Sequence, residues 1–159
     1  EQLSLACGTK QPRDQNPLER PLNEVVIPAT EEKYALGRLL TIKLAAEAQE
    51  LADKGEHHKA AYRFWDAANS TVGVEKAILE KKAAQQFILS KEYDMAKGLD
   101  LLAYTDYVDP IHYLPSRPDL AIHSTLHTYK ILDVVAPGIV TSKDRSIIFE
   151  LARLYNVSI

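Results

Sequence analysis

The residues best suited to chemistry are His123 and His127. They stand four apart, so on a helix they lie one turn from each other and face the same side, a spacing by which two imidazoles can share a zinc ion. Such a site needs a third protein ligand. The intervening residues, Ser124-Thr125-Leu126, supply none, and no His-Glu-x-x-His arrangement occurs. His57 and His58 are adjacent, so their side chains diverge on a helix. Cys7 is the only cysteine, which excludes an internal disulfide and a cysteine-rich metal site. It falls in a polar arm, whereas a nucleophile and its base must be held within hydrogen-bond reach by rigid support. The carboxylates Glu31, Glu32, Glu47, Glu50 and Asp53 have the spacing of a solvated helix face. There is no glycine-rich phosphate loop and no dinucleotide fingerprint. The expectation is a protein that is not an enzyme and carries no cofactor or metal. A small metal-dependent enzyme built on His123 and His127 stands behind it.

A chain of 159 residues fits one domain with a useful core, or a domain plus a tail. Apolar residues make up 46% and charged residues 26%, with a formal net charge of -3. No Lys/Arg block is present, which argues against nucleic acid and against a charged membrane surface as partners. No apolar run is long enough to span a bilayer. Leu3-Ser4-Leu5-Ala6-Cys7-Gly8 resembles the end of a bacterial lipoprotein signal, with Ser4 where an aliphatic residue is usual. The reading favours a cytoplasmic protein, with a lipoprotein or periplasmic protein as the alternative. Membrane association would require lipidation of Cys7.

These residues must be positioned by helices. Residues 1–30 read as an extended arm, because Pro12, Pro17, Pro21 and Pro28 interrupt helix formation; Val25, Val26 and Ile27 are the arm's apolar cluster. Thr30 is a candidate cap for a helix over about 31–54, which Gly55 ends. Further helices are predicted over 56–68, 72–90, 92–104, 119–135 and 142–155, the last with Thr141 and Asp144 as a capping-box-like pair. Connections of two to four residues force the first four helices into antiparallel neighbours. The segment 105–118 carries three prolines and reads as an irregular connection within a helical domain of 31–159.

The first pair of helices repeats in the second. Leu44, Ala48 and Leu51 are followed by Gly55, Ala60, Phe64 and Ala67. Ala84, Phe87, Lys91, Tyr93, Ala96 and Ala103 fall at matching places, and Ala60 and Ala96 are 36 residues apart. Alanine at 48, 60, 84 and 96 allows close helix approach, while large residues at 51, 64 and 87 fill the space between. This pattern resembles the tetratricopeptide repeat over about residues 41–104, with Lys91 at the turn-glycine position and Asp100 at a usual aromatic position as departures. A third copy is weak: Phe149 and Ala152 could fill late positions, but Pro137-Gly138 and the long connection distort the rest. The implied fold is all-α, antiparallel helical hairpins stacked as a short array of about six helices. The alternative is a generic helical bundle.

The resemblance implies a concave face lined by the first helix of each hairpin. That face would take Ile42, Ala45, Gln49 and Ala52 from the first copy, and Ile78, Lys81, Gln85 and Ile88 from the second. Some family members clamp a terminal carboxylate; Lys81, Lys82, Gln49 and Gln85 are the nearest equivalents here, and the expected asparagines are missing. Tyr104, Tyr107 and Tyr113, with His112, form a second candidate surface, whose structural alternative is a cap on the helical stack. Trp65 follows Phe64 and should lie on the flank of its helix, against the next hairpin or the arm. The implied function is an adaptor or complex subunit that binds a partner protein or peptide through its groove. A structural spacer or self-associating scaffold is the alternative.

Overall fold

The computed structural model describes residues 29–108 and 117–159. Cys7, the arm residues Val25, Val26 and Ile27, and His112 and Tyr113 lie outside the described residues. The fold is all-α. Six helices follow one another: α1 (Ala29–Asp53), α2 (His57–Asn69), α3 (Gly73–Leu89), α4 (Tyr93–Tyr107), α5 (Pro118–Val135) and α6 (Ser142–Leu154). No strand occurs among the described residues. The chain divides between Leu36 and Gly37 into two units, each described by itself. The first contributes the opening of α1, and the second holds the rest of α1 with α2–α6.

Two boundaries differ from expectation. Helix α1 already begins at Ala29, so Thr30 lies inside the first turn instead of preceding it. Helix α4 runs three residues past Tyr104, so Tyr107 belongs to its last turn and not to the irregular connection. The physical reason is that the first proline of this region is Pro110, which constrains only itself and Asp109. At the other end of the connection, Pro118 opens α5 at a position where its missing amide costs nothing. The Thr141–Asp144 capping box is formed: the Asp144 amide donates to Thr141 Oγ1 at 3.2 Å, and the Thr141 amide donates to Asp144 Oδ2 at 2.8 Å.

Three helices end in the same Schellman geometry. At the end of α1 the amides of Gly55 and Glu56 donate to the carbonyls of Ala52 and Leu51, both at 2.9 Å. After α3, Lys91 and Glu92 donate to Ile88 and Phe87 at 3.0 and 2.8 Å, and after α6, Asn156 and Val157 donate to Arg153 and Ala152 at 3.2 and 2.8 Å. The turn residue is left-handed in each, with φ of 79° at Gly55, 65° at Lys91 and 61° at Asn156. Lys91 therefore adopts the conformation of the glycine it stands in for, at the steric penalty of a Cβ. Lys91→Gly is expected to stabilise the fold by about 1 kcal/mol, and Gly55→Ala to destabilise it by about as much. No atom stands within 4 Å of a Cβ built on Gly55, so conformational strain alone sets that loss. Equilibrium urea unfolding of the two variants measures both; equal and unchanged midpoints would refute the assignment.

Within the second unit, α3 packs on α2 and α4, and α5 packs on α4 and α6. One core cluster joins the C-terminal half of α1 to α2, α3 and the start of α4. It is built on Ala48, Phe64, Ala84, Phe87, Ala96 and Leu99, and the alanines at repeating positions are fully or almost fully buried. Trp65 is half-buried on the flank of α2, its ring 6.3 Å from that of Phe87 on α3 and edge-on at 83°. A second cluster holds Tyr104, Ile122, Tyr129, Leu132, Ile148 and Ala152 from α4, α5 and α6. Lys97 ties α4 to α6 by donating to Asp144 Oδ2 at 2.9 Å and to the Ile139 carbonyl at 2.8 Å. Burial alone would raise the Asp144 carboxyl, but the Thr141 amide and Lys97 outweigh it and hold it below the usual range.

Candidate functional site

The second unit contains an open groove of about 400 Å³ between α3 and α5, with α4 as its floor. Small residues create it. Ala77, Ala103, Ala121 and Ser124 line it, one or two on each helix, and their missing bulk leaves space that neighbouring side chains do not fill. Ile78 on α3 and Leu120 on α5 stand at its edges, 50% and 52% exposed. Tyr104 and Tyr107 line it from the last turns of α4. Tyr104 is buried, and its hydroxyl has no hydrogen-bond partner among the described residues. Burial, with a smaller contribution from Tyr155, pushes that phenol up to about 12.

Of the ten residues proposed from sequence, six meet here: Ile78, Lys81, Lys82, Gln85, Tyr104 and Tyr107. Four do not. Ile42 and Gln49 lie on α1, outside the groove lining, and the Gln49 amide donates to Asp53 Oδ1 at 2.8 Å one turn on. Ile88 is half-buried and packs against both core clusters. Tyr113 lies outside the described residues.

Lys81 is committed to the protein itself. Its ammonium forms an ion pair with Asp100, which is only 1% exposed, and donates to Thr128 Oγ1 at 2.7 Å and to the Ser124 carbonyl at 3.1 Å. Thr128 in turn donates to Asp100 Oδ1 at 3.0 Å. One lysine thus fixes α3 against α4 and α5 at the base of the groove. Asp100 was legible as a departure, a charge at a position where Phe64 sits 36 residues earlier. The structure gives the reason: the space of an aromatic ring is taken by a buried ion pair.

A second buried acid was missed. Glu80, on the same helix turn as Lys81, is fully buried and falls 36 residues after Leu44. No hydrogen-bond donor among the described residues reaches either of its oxygens; its polar neighbour is the carboxyl of Asp106 on α4, itself half-buried. Two carboxyls can satisfy each other only when one carries a proton. Burial, reinforced by Asp106 and opposed by Lys76, raises Glu80 to about 8, so at neutral pH it is the protonated partner.

The candidate zinc ligands His123 and His127 are both exposed on α5. No group of three or more His, Cys, Asp or Glu side chains suited to a metal ion occurs among the described residues. His57 and His58 pair separately, with Gln86 Oε1 and with Glu92 Oε2, each at 2.7 Å. No helix among the described residues is long and apolar enough to cross a membrane.

These features define an all-α protein with an open, mainly apolar groove over a buried polar network. Comparison with protein-family models, with curated proteins and with solved structures finds no match.

Proposed function

We propose that this chain is a non-enzymatic adaptor or complex subunit that engages a segment of a partner protein in the groove between α3, α4 and α5. The observation that carries this reading is the groove itself, which gathers half-exposed Ile78 and Leu120, the tyrosines of α4 and the polar heads of Lys82 and Gln85. Apolar walls with a few polar groups are what a bound segment requires. A volume of about 400 Å³ is room for one or two side chains, not for a folded surface. We also read α1–α6 as three tetratricopeptide-like hairpins. The 36-residue recurrence of buried alanines and the equivalent turns at Gly55 and Lys91 support that arrangement for the first two.

Affinity capture with the intact chain and with Ile78→Glu and Leu120→Glu tests the binding role. Both positions are half-exposed, so the charges are tolerated by the fold and offend only an apolar ligand. A stoichiometric partner is expected to bind the wild type and to be reduced at least tenfold by either change, while Ile42→Glu on α1 leaves it. Retention by all three variants would remove the groove from the argument. Self-association in sedimentation, with no partner captured, would favour the spacer or scaffold reading instead.

A further inference from the structure

The groove is polarised along its length. Lys81 sets the register, since it reaches Asp100 on α4 and Ser124 and Thr128 on α5. One turn back along α3 from Lys81, Ile78 lines the groove together with Leu120 of α5, one turn back from Ser124, and with Tyr107 of α4. This end is apolar. The other end presents Lys82, Gln85 and Ser124. The charges lining the groove are Lys81, Lys82 and Asp100, and the first and last neutralise each other. Lys82 is exposed and forms no ion pair among the described residues; its ammonium stands 5.9 Å from the centre of the Phe64 ring. The groove therefore offers an apolar seat and, at its rim, one positive charge that has the face of Phe64 beside it and no carboxylate partner among the described residues. Ile78 and Lys82 are four residues apart, about 6 Å along the helix.

We propose that the occupant is an extended segment of a partner protein in which a bulky apolar side chain is followed two residues later by aspartate or glutamate. Side chains two apart in an extended chain point the same way, about 7 Å from each other. That matches the step from the Ile78–Leu120–Tyr107 end to Lys82. The apolar side chain covers exposed Ile78 and Leu120, and the carboxylate answers Lys82. A basic segment is disfavoured, because it would bring a second cation to Lys82, and among the described lining residues the one carboxylate, Asp100, is taken by Lys81. This inference rests on the groove being a peptide site and adds the chemistry of the peptide.

The test uses three blocked tripeptides, acetyl-Phe-Ser-Asp-amide, acetyl-Phe-Ser-Asn-amide and acetyl-Ser-Ser-Asp-amide, titrated into the whole chain and followed by amide chemical shifts. The first is expected to shift the signals of Ile78, Lys82, Tyr107 and Leu120. It should bind about fivefold more tightly than its asparagine twin, the advantage of one exposed ion pair. The serine peptide should bind weakest. The acid preference should shrink with added salt and disappear in Lys82→Gln, a change at an exposed side chain. Equal binding of the acid and its amide twin in the groove, or a preference that survives Lys82→Gln, overturns the proposed chemistry and leaves the peptide groove standing. No groove shifts with any of the three overturns the occupant, and the capture comparison with Ile78→Glu then decides separately whether the groove binds a partner at all.

Discussion

Asp100→Ala should lower the unfolding free energy by about 3–5 kcal/mol, the range for leaving one member of a buried ion pair without its partner. Lys81 would keep its charge but lose its carboxylate, and Thr128 would lose its acceptor. Lys81→Met should cost at least as much, because the carboxylate it strands is 1% exposed and keeps only the Thr128 hydroxyl, whereas Lys81, about a quarter exposed, can turn its charge to solvent when Asp100 is lost. The double change Lys81→Met with Asp100→Leu should recover most of the loss, since a packed apolar pair of similar volume does as well as a desolvated ion pair. The two single changes should therefore be strongly non-additive. A denaturation cycle over the wild type, Lys81→Met, Asp100→Leu and the double change measures this. If Asp100→Ala cost under about 1 kcal/mol, the network would be no more than a surface pair.

The second large effect is a pH dependence that belongs to Glu80. Its folded-state pKa is raised from 4.5 to about 8, so the folded chain holds this proton more tightly than the unfolded chain does. The resulting stability is fully present below about pH 4.5 and is lost as pH rises through about 8. Glu80→Gln keeps the shape and a hydrogen-bond donor toward Asp106 but has no charge to gain. It should be close to wild type near pH 5 and more stable by roughly 3 kcal/mol near pH 9. Thermal melts across pH 5–9 compare the two. Parallel curves would mean that Glu80 does not change charge in this range.

The helices were readable because their ends carry strong chemical signals. Gly55, Pro118, Pro137-Gly138 and the Thr141–Asp144 pair each act through the local backbone, which a linear reading can follow. Where α4 ends was harder to place, since a cluster of prolines signals a break without marking how far upstream the helix survives. The groove was half legible. Ile78, Lys82 and Gln85 were found from their register on α3, but the space they border is made by alanines, and an absent side chain leaves no mark on a hydrophobic pattern. Lys81 was picked for its charge and proved to spend it internally. Glu80 escaped because a glutamate among Lys76, Lys81 and Lys82 reads as solvated; only its distance from Leu44 marks it as interior.

Ile88 has a consequence for how the molecule comes apart. Among the described residues it is the hydrophobic side chain that touches both core clusters. Cooperativity between two cores depends on the contacts they share, as it does between neighbouring units of a repeat protein. The second core, with α5 and α6, is therefore held to the Phe64–Phe87 core by Ile88 and by the Lys81–Asp100–Thr128 network, and its opening must break both. Because the groove draws one wall from α5 and another from α3, each such opening would dismantle it and discharge whatever it held. The residence time of a bound segment would then be set by the fraying of the protein's own C-terminal half as much as by the contacts in the groove.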